Sequence, residues 1–174
     1  MKIFSESRIH HPINRVYTAY RDELPKLADY IPDVKEIVVR SREERPGGPL
    51  LHNLWVAHRE LPKMIQGIAK PEMMQWDDFA DWNDAEQYVA WNLVIPAFKD
   101  QVKCSGRNSF YEAGANETRV VLTGDLQISL TKIPGVPSFM AKRLAPKLEE
   151  FIVKLITPNL ERTNQALEEY LDAC

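Results

Sequence analysis

Cysteine is nearly absent: the 174-residue chain has two, Cys104 and the final residue, Cys174. They are far apart and match neither a disulfide framework nor a C-x-x-C metal pattern. Long apolar runs are missing too, and none approaches the roughly 18 residues that a membrane-spanning helix needs. The opening MKIFSESRIHH lacks the apolar centre of a secretory signal. Charge of one sign is not in excess: the formal net charge is −3, and the 22 basic residues are dispersed, leaving no footprint for nucleic acid. There is no internal repeat and no low-complexity tract. These absences predict a cytoplasmic protein with reduced thiols, and a composition of 44% hydrophobic and 27% charged residues predicts a single globular domain over 1–174.

Metal and nucleophile motifs are equally sparse. His10 and His11 are neighbours on a strand-like run and point to opposite faces. His52 and His58 share a face, but six residues of strand hold them roughly 20 Å apart. No HExxH, G-x-S-x-G or Cys/His cluster occurs. Cys104, on an apolar strand face, reads as an inert packed thiol. No metal and no cofactor are expected, and no catalytic residue is assigned.

What is present is an ordered succession of patterns. Residues 2–11 read as a strand, Pro12 suits the first turn of a helix, and Ile13, Val16, Tyr17 and Tyr20 follow at helical spacing. A second short helix spans about Leu24 to Tyr30, before Pro32. PGGP then separates two strand-like runs. An even loop there places Ile37 opposite His58, Val39 opposite Val56 and Ser41 opposite Leu54, with Ile37, Val39, Leu54 and Val56 facing inward. In MMQWDDFADWNDAEQYVAWNLVI, a two-residue turn at Asn83-Asp84 sets Trp76 opposite Trp91, Met74 opposite Leu93 and Asp78 opposite Val89. In the last hairpin, Val120, Leu122, Leu126, Ile128 and Leu130 form an apolar stripe opposite Phe110, Asn108, Gly106 and Cys104. Gly106 then faces Gly124, and two opposed glycines leave room on the inner face for a packed helix or a ligand. From about Val136 the pattern is helical to the end. Its stripe runs through Leu144, Leu148, Phe151, Ile152, Leu155, Ile156, Leu160, Leu167, Tyr170 and Leu171, with a kink expected near Lys154 from Pro158.

The order is strand, two short helices, about six strands and a long helix. An antiparallel meander with one apolar face needs a cover, and only the last helix is long enough to supply it. The predicted class is α+β: a curved antiparallel β-sheet wrapped around a long C-terminal α-helix, with two short helices after the first strand.

This order, carried by HHPINRVYTAYRDELPKLADYIPDV, ETRVVLTGDLQI and LAPKLEEFIVKLITPNLERTNQALEEYL, resembles the START-like or SRPBCC superfamily, the helix-grip proteins. The resemblance covers nearly the whole chain, in apolar spacing and turns rather than in a chemical signature. It implies a cavity between sheet and helix that takes lipids, polyketides, sterols or other apolar molecules. Its members include lipid-transfer proteins, pollen-allergen-like binders, aromatase/cyclases and activators of a chaperone ATPase.

The expected function is therefore binding or transport of a small hydrophobic ligand, lipid-like, polyketide-like or aromatic. The expected ligand-binding residues are Trp76, Asp78, Trp91, Asn108, Leu122, Phe151, Ile152 and Leu155. Asp78 shares an apolar face with Trp76, Val89 and Trp91, where a carboxyl pKa rises and suits acid–base work; a solvated Asp78 on a twisted strand is the plainer reading. Asn108 or His52 would supply further polar contacts. Two other readings stay open: a cyclase or dehydratase using Asp78 and a histidine, and a protein-interaction module with a filled core. Met64 and Ile65, or Phe139 and Met140 beside Lys142 and Arg143, would give a transient contact with a membrane surface, ordinary loop packing being the plainer account.

Overall fold

The computed structural model describes residues 1–58, 63–67 and 70–174, without the side chains of residues 64 and 65. Strand β1 (Lys2–Ile9) leads into helix α1 (Ile13–Asp22) and a 3-10 helix (Leu24–Tyr30). Pro12 caps α1 from outside with φ −59°, one position earlier than the sequence pattern placed it. The remaining strands are β2 (Val34–Glu43), β3 (Leu50–Ala57), β4 (Gln75–Asn83), β5 (Tyr88–Val94), β6 (Val102–Gly114) and β7 (Glu117–Ile128). A single helical turn, α2 (Lys63–Gln66), lies between β3 and β4, and the long helix α3 (Ser138–Asp172) closes the chain. The expected α+β class is the one observed. All seven strands form one antiparallel sheet in the order β1-β7-β6-β5-β4-β3-β2, so that β1 returns to pair with β7.

The α3 stripe is what closes the core. Leu144, Leu148, Phe151, Ile152, Leu155, Ile156, Leu167, Tyr170 and Leu171 are buried, and Leu160 is half-buried against them. Removing such a stripe from water is the main stabilising term for an amphipathic helix. The helix runs as one element through Pro146 and Pro158. No described helix is both long and apolar enough to cross a membrane.

The three hairpins follow the sequence pattern to different degrees. In β6–β7 the expected register holds: Phe110 pairs with Val120, Asn108 with Leu122, Gly106 with Gly124 and Cys104 with Leu126. In β4–β5 the turn is longer than expected, since the ladder closes at Asn83 and Tyr88. Asn83 accepts the Glu86 backbone N–H at 2.9 Å and Gln87 takes a left-handed φ of 51°, a turn stabilised by its own side chain. The pairing therefore shifts by an even step: Asp78 faces Leu93, Ala80 faces Trp91, and Trp82 faces Val89. An even shift preserves the faces, and Trp76, Asp78, Trp82, Val89 and Trp91 all point inward as expected.

In β2–β3 the expected register is wrong. Ile37 pairs with Trp55, Val39 with Asn53 and Ser41 with His52, with irregularities at Val34/Glu36 and Val39/Ser41. A bulge inserts one residue and so reverses the facing beyond it. Leu51, Asn53, Trp55 and Ala57 consequently face the core side. Val39, expected inside, is exposed, Val56 is half-buried, and Leu54, although buried, lies outside the main core cluster.

The opposed glycines also have a different use from the one expected. A Cβ on Gly106 would sit 2.4 Å from Trp91 Cζ2, and one on Gly124 would sit 2.8 Å from Trp91 Cη2. The space they leave is filled by the Trp91 indole, not by the helix or a ligand.

Candidate functional site

The inner faces of β3, β4 and β5 meet α1 and the C-terminal half of α3 around a cavity. Four tryptophans and one tyrosine stand among its walls. Trp55 and Trp76 are cross-strand partners with ring centroids 5.6 Å apart and planes 20° from parallel. Trp82 and Trp91 continue the same inner face of the sheet, with Tyr20 of α1 set edge-on to Trp82 at 5.8 Å. The room left for water-sized molecules is about 40 Å³, on the order of three waters.

Polar atoms are few and converge. Asp78 is buried, and its Oδ2 accepts the Asn53 Nδ2–H at 3.2 Å. Its other oxygen, Oδ1, has no hydrogen-bond partner among the described residues. Burial pushes the Asp78 carboxyl up to about 6, with Asn53, the Trp55 N–H and His52 each pulling it down in part. Trp55 Nε1 lies near enough to favour the charged carboxylate but makes no hydrogen bond of good geometry. On α3, Asn159 donates Nδ2–H to the Leu155 carbonyl at 2.7 Å, which leaves its Oδ1 unpaired. Asn53 Oδ1 is unpaired as well. Four buried polar atoms around one cavity therefore lack partners among the described residues, where folded proteins ordinarily leave very few.

The residues expected from sequence separate into three groups. Trp76, Asp78 and Trp91 line this cavity. Asn108 stands behind it, fully buried, accepting Trp91 Nε1–H at 2.9 Å and donating to Tyr20 Oη at 3.0 Å. It orients two wall residues rather than facing the space. Leu122, Phe151, Ile152 and Leu155 are buried in the main core, away from this cavity.

His52 is on the opposite face of the sheet. Its Nε2 lies 2.6 Å from Asp77 Oδ1, and its ring stacks on Phe79 at 4.5 Å. His52 therefore does not share the cavity with Asp78. The residues that sequence reasoning missed are Asn53, Asn159 and Thr163. Asn159 and Thr163 lie three and seven positions beyond Ile156, polar interruptions on the buried face, and that was the available signal. Among the described residues, no group of three His, Cys, Asp or Glu side chains could hold a metal ion. Burial pushes the Cys104 thiol up to about 12, so it stays protonated and inert.

No protein-family model matches the sequence, and comparison with curated proteins gave no match. Solved structures do match over nearly the full length. A protein from Thermus thermophilus, TTHA0849, is 25% identical with a TM-score of 0.69, over 99% of this chain and 98% of its own. The Zhui aromatase/cyclase from a Streptomyces species is 17% identical with a TM-score of 0.65, over 99% and 93%. A START superfamily protein from Mycobacterium smegmatis is 18% identical with a TM-score of 0.51, over 92% and 97%. The fold is START-like. The START-like sheet here packs around α3 as the sequence pattern anticipated, and four tryptophans line the cavity between them.

Proposed function

We propose that this START-like protein binds a small hydrophobic ligand, aromatic or lipid-like, in the tryptophan-lined cavity between the sheet and α3. The observation that carries this reading is the set of unpaired buried polar atoms of Asn53, Trp55, Asp78 and Asn159 around an apolar space. Apolar walls supply affinity in proportion to buried area, at about 25 cal/mol per Å² before ordering costs. The few polar atoms fix orientation. Because the space now admits only a few waters, entry of a ligand requires wall side chains to move. The cavity and its unpaired groups weigh against an interaction module with a filled core.

A second reading is favoured by one observation, the Asp78 carboxyl held near 6, where a side chain exchanges protons readily at neutral pH. In that reading the protein is an enzyme of cyclase or dehydratase type, with Asp78 as the acid or base. A cytoplasmic location and reduced thiols belong to both readings, in keeping with two free cysteines. So does transient contact with a membrane surface through Phe139 and Met140, which are 73% and 42% exposed beside Lys142 and Arg143. Met64 and Ile65, the other expected contact, have side chains outside the described residues.

Native mass spectrometry of freshly purified protein, followed by solvent extraction, tests the binding reading. A reproducible apolar adduct is expected. A clean apo mass, with no change in tryptophan fluorescence on adding small aromatic compounds, would overturn it.

A further inference from the structure

The polar atoms left unpaired in the cavity are unbalanced in kind. Asn159 Oδ1 is an acceptor beyond dispute, because Nδ2 is committed to the Leu155 carbonyl. Asn53 Oδ1 is an acceptor with Nδ2 assigned to Asp78, and Asp78 Oδ1 is an acceptor whenever the carboxyl is ionised. Among the atoms with no partner at all, one donor stands against these three, Trp55 Nε1, which already leans on Asp78; the Tyr20 hydroxyl, which accepts from Asn108, adds its own proton as a second. The hydroxyl in the α3 wall, on Thr163, spends its proton on the Asn159 carbonyl at 2.7 Å.

The charge is unbalanced in the same direction. Among the described residues, Arg21 is the one cation in the lining. Its guanidinium is turned to Asp22, at 3.0 and 2.9 Å, and to Asp84, at 2.8 Å. Among the described residues, Asp78 therefore has no cationic partner in a site walled by Trp55, Trp76, Trp82 and Trp91. An ionised carboxylate in such surroundings is costly until a counter-charge arrives. Tryptophan faces are themselves the best aromatic partners of a cation.

We infer that the ligand carries a protonated primary amine, its N–H groups donating to Asp78 Oδ1 and to the amide oxygens of Asn53 and Asn159, with its apolar part among the tryptophans. A primary amine supplies three donors and one positive charge, matching three acceptors and one negative charge. A hydroxyl matches one acceptor and leaves the charge unmet. The inference rests on the cavity being the binding site.

The test compares two probes of the same shape, benzylamine and benzyl alcohol, titrated into the full chain and followed on the tryptophan indole N–H signals by NMR. Benzylamine is expected to bind about tenfold more tightly, the scale of one charge-assisted contact. In Asp78→Asn that preference should fall to about twofold or less, because benzylamine loses more affinity than benzyl alcohol. Should Asp78→Asn fail to fold, lowering the pH of the unaltered protein from about 7.5 to about 5 replaces it, since protonating Asp78 should remove the same preference. The other titratable or charged groups near Asp78 are Tyr20 and Arg21, which α1 presents to the cavity, and His52, across β3 on the outer face; β5 and α3 present none to the cavity among the described residues. His52→Gln, measured in parallel, removes the imidazole from the comparison. Equal or tighter binding of benzyl alcohol, or a preference that survives Asp78→Asn, overturns the inference and leaves the binding reading standing. If neither probe shifts the indole signals, both fail.

Discussion

The Trp91 indole donates its N–H to Asn108 Oδ1 at 2.9 Å while its ring lies over the Gly106–Gly124 pair. One polar contact and one steric vacancy hold a single side chain, and that side chain forms part of the cavity wall. The position of Trp91 is thus set by β6 and β7, two strands that do not themselves line the space.

Filling that vacancy should be felt. Gly124→Ala places a Cβ 2.8 Å from Trp91 Cη2, so the ring must shift. Overpacking of this kind costs about 1–3 kcal/mol, read as a lower urea midpoint. Gly114→Ala, whose Cβ would meet nothing nearer than 3.7 Å, is the control and should stay within about 0.5 kcal/mol. Combining Gly124→Ala with Trp91→Phe should recover part of the loss. Simple addition of the two costs would mean that the ring does not occupy the glycine gap.

Removing Asn108 should cost more than its size suggests. Asn108→Leu strands both the Trp91 N–H and the Tyr20 hydroxyl in buried positions. Each unpaired group carries a penalty of about 1–3 kcal/mol. Equilibrium unfolding is expected to report about 2 kcal/mol or more, with the Trp91 indole N–H signal moving in the NMR spectrum. An unmoved signal would contradict the contact.

Asp78 should impose an unusual pH dependence on stability. Its folded-state pKa, about 6, lies above the ordinary 3.8, so the native state binds the proton more tightly than the unfolded chain. The associated stability is fully present below about pH 4 and is lost as pH rises through about 6. It amounts to something on the order of 3 kcal/mol. The stability difference between the unaltered protein and Asp78→Asn should therefore change across that window and be flat above it. A difference independent of pH would place Asp78 in water.

Glu23 should act with the opposite sign. The Tyr170 hydroxyl, then Arg15 and Lys26, hold its carboxylate down to about 2 from an ordinary 4.5. Its stabilisation is present above pH 4.5 and is lost as pH falls through about 2. This contact ties the end of α3 to the start of the 3-10 helix. Glu23→Gln should flatten the acid limb of the stability curve, and Tyr170→Phe should shift it toward higher pH. Unfolding curves collected between those limits decide the matter.

The exposed tip of α3 allows a direct check of membrane contact. Phe139→Asp should reduce co-sedimentation with anionic phosphatidylserine vesicles while leaving stability within about 0.5 kcal/mol, because Phe139 is 73% exposed. Equal sedimentation of both forms would remove Phe139 from any such surface.

The sequence by itself determined the parts of this protein governed by local periodicity. The α3 stripe, the β6–β7 register and the inward face of β4 and β5 follow from apolar spacing, because helical and strand periods each bury one face whatever lies opposite. Asp78 was legible for the same reason: it breaks an apolar alternation whose direction survives an even slip. Only the tertiary structure decided the facing of β3, because an extra residue in β2 near Val39/Ser41 changes which β3 residues share a face with the buried Ile37 and leaves no trace in the spacing of the apolar residues. That change put Asn53 and Trp55 beside Asp78 and sent His52 to the other face. The size of the cavity was likewise beyond the sequence, since it depends on where one indole lies relative to two glycines on neighbouring strands. Such a fit is a property of packing between elements and has no period to read.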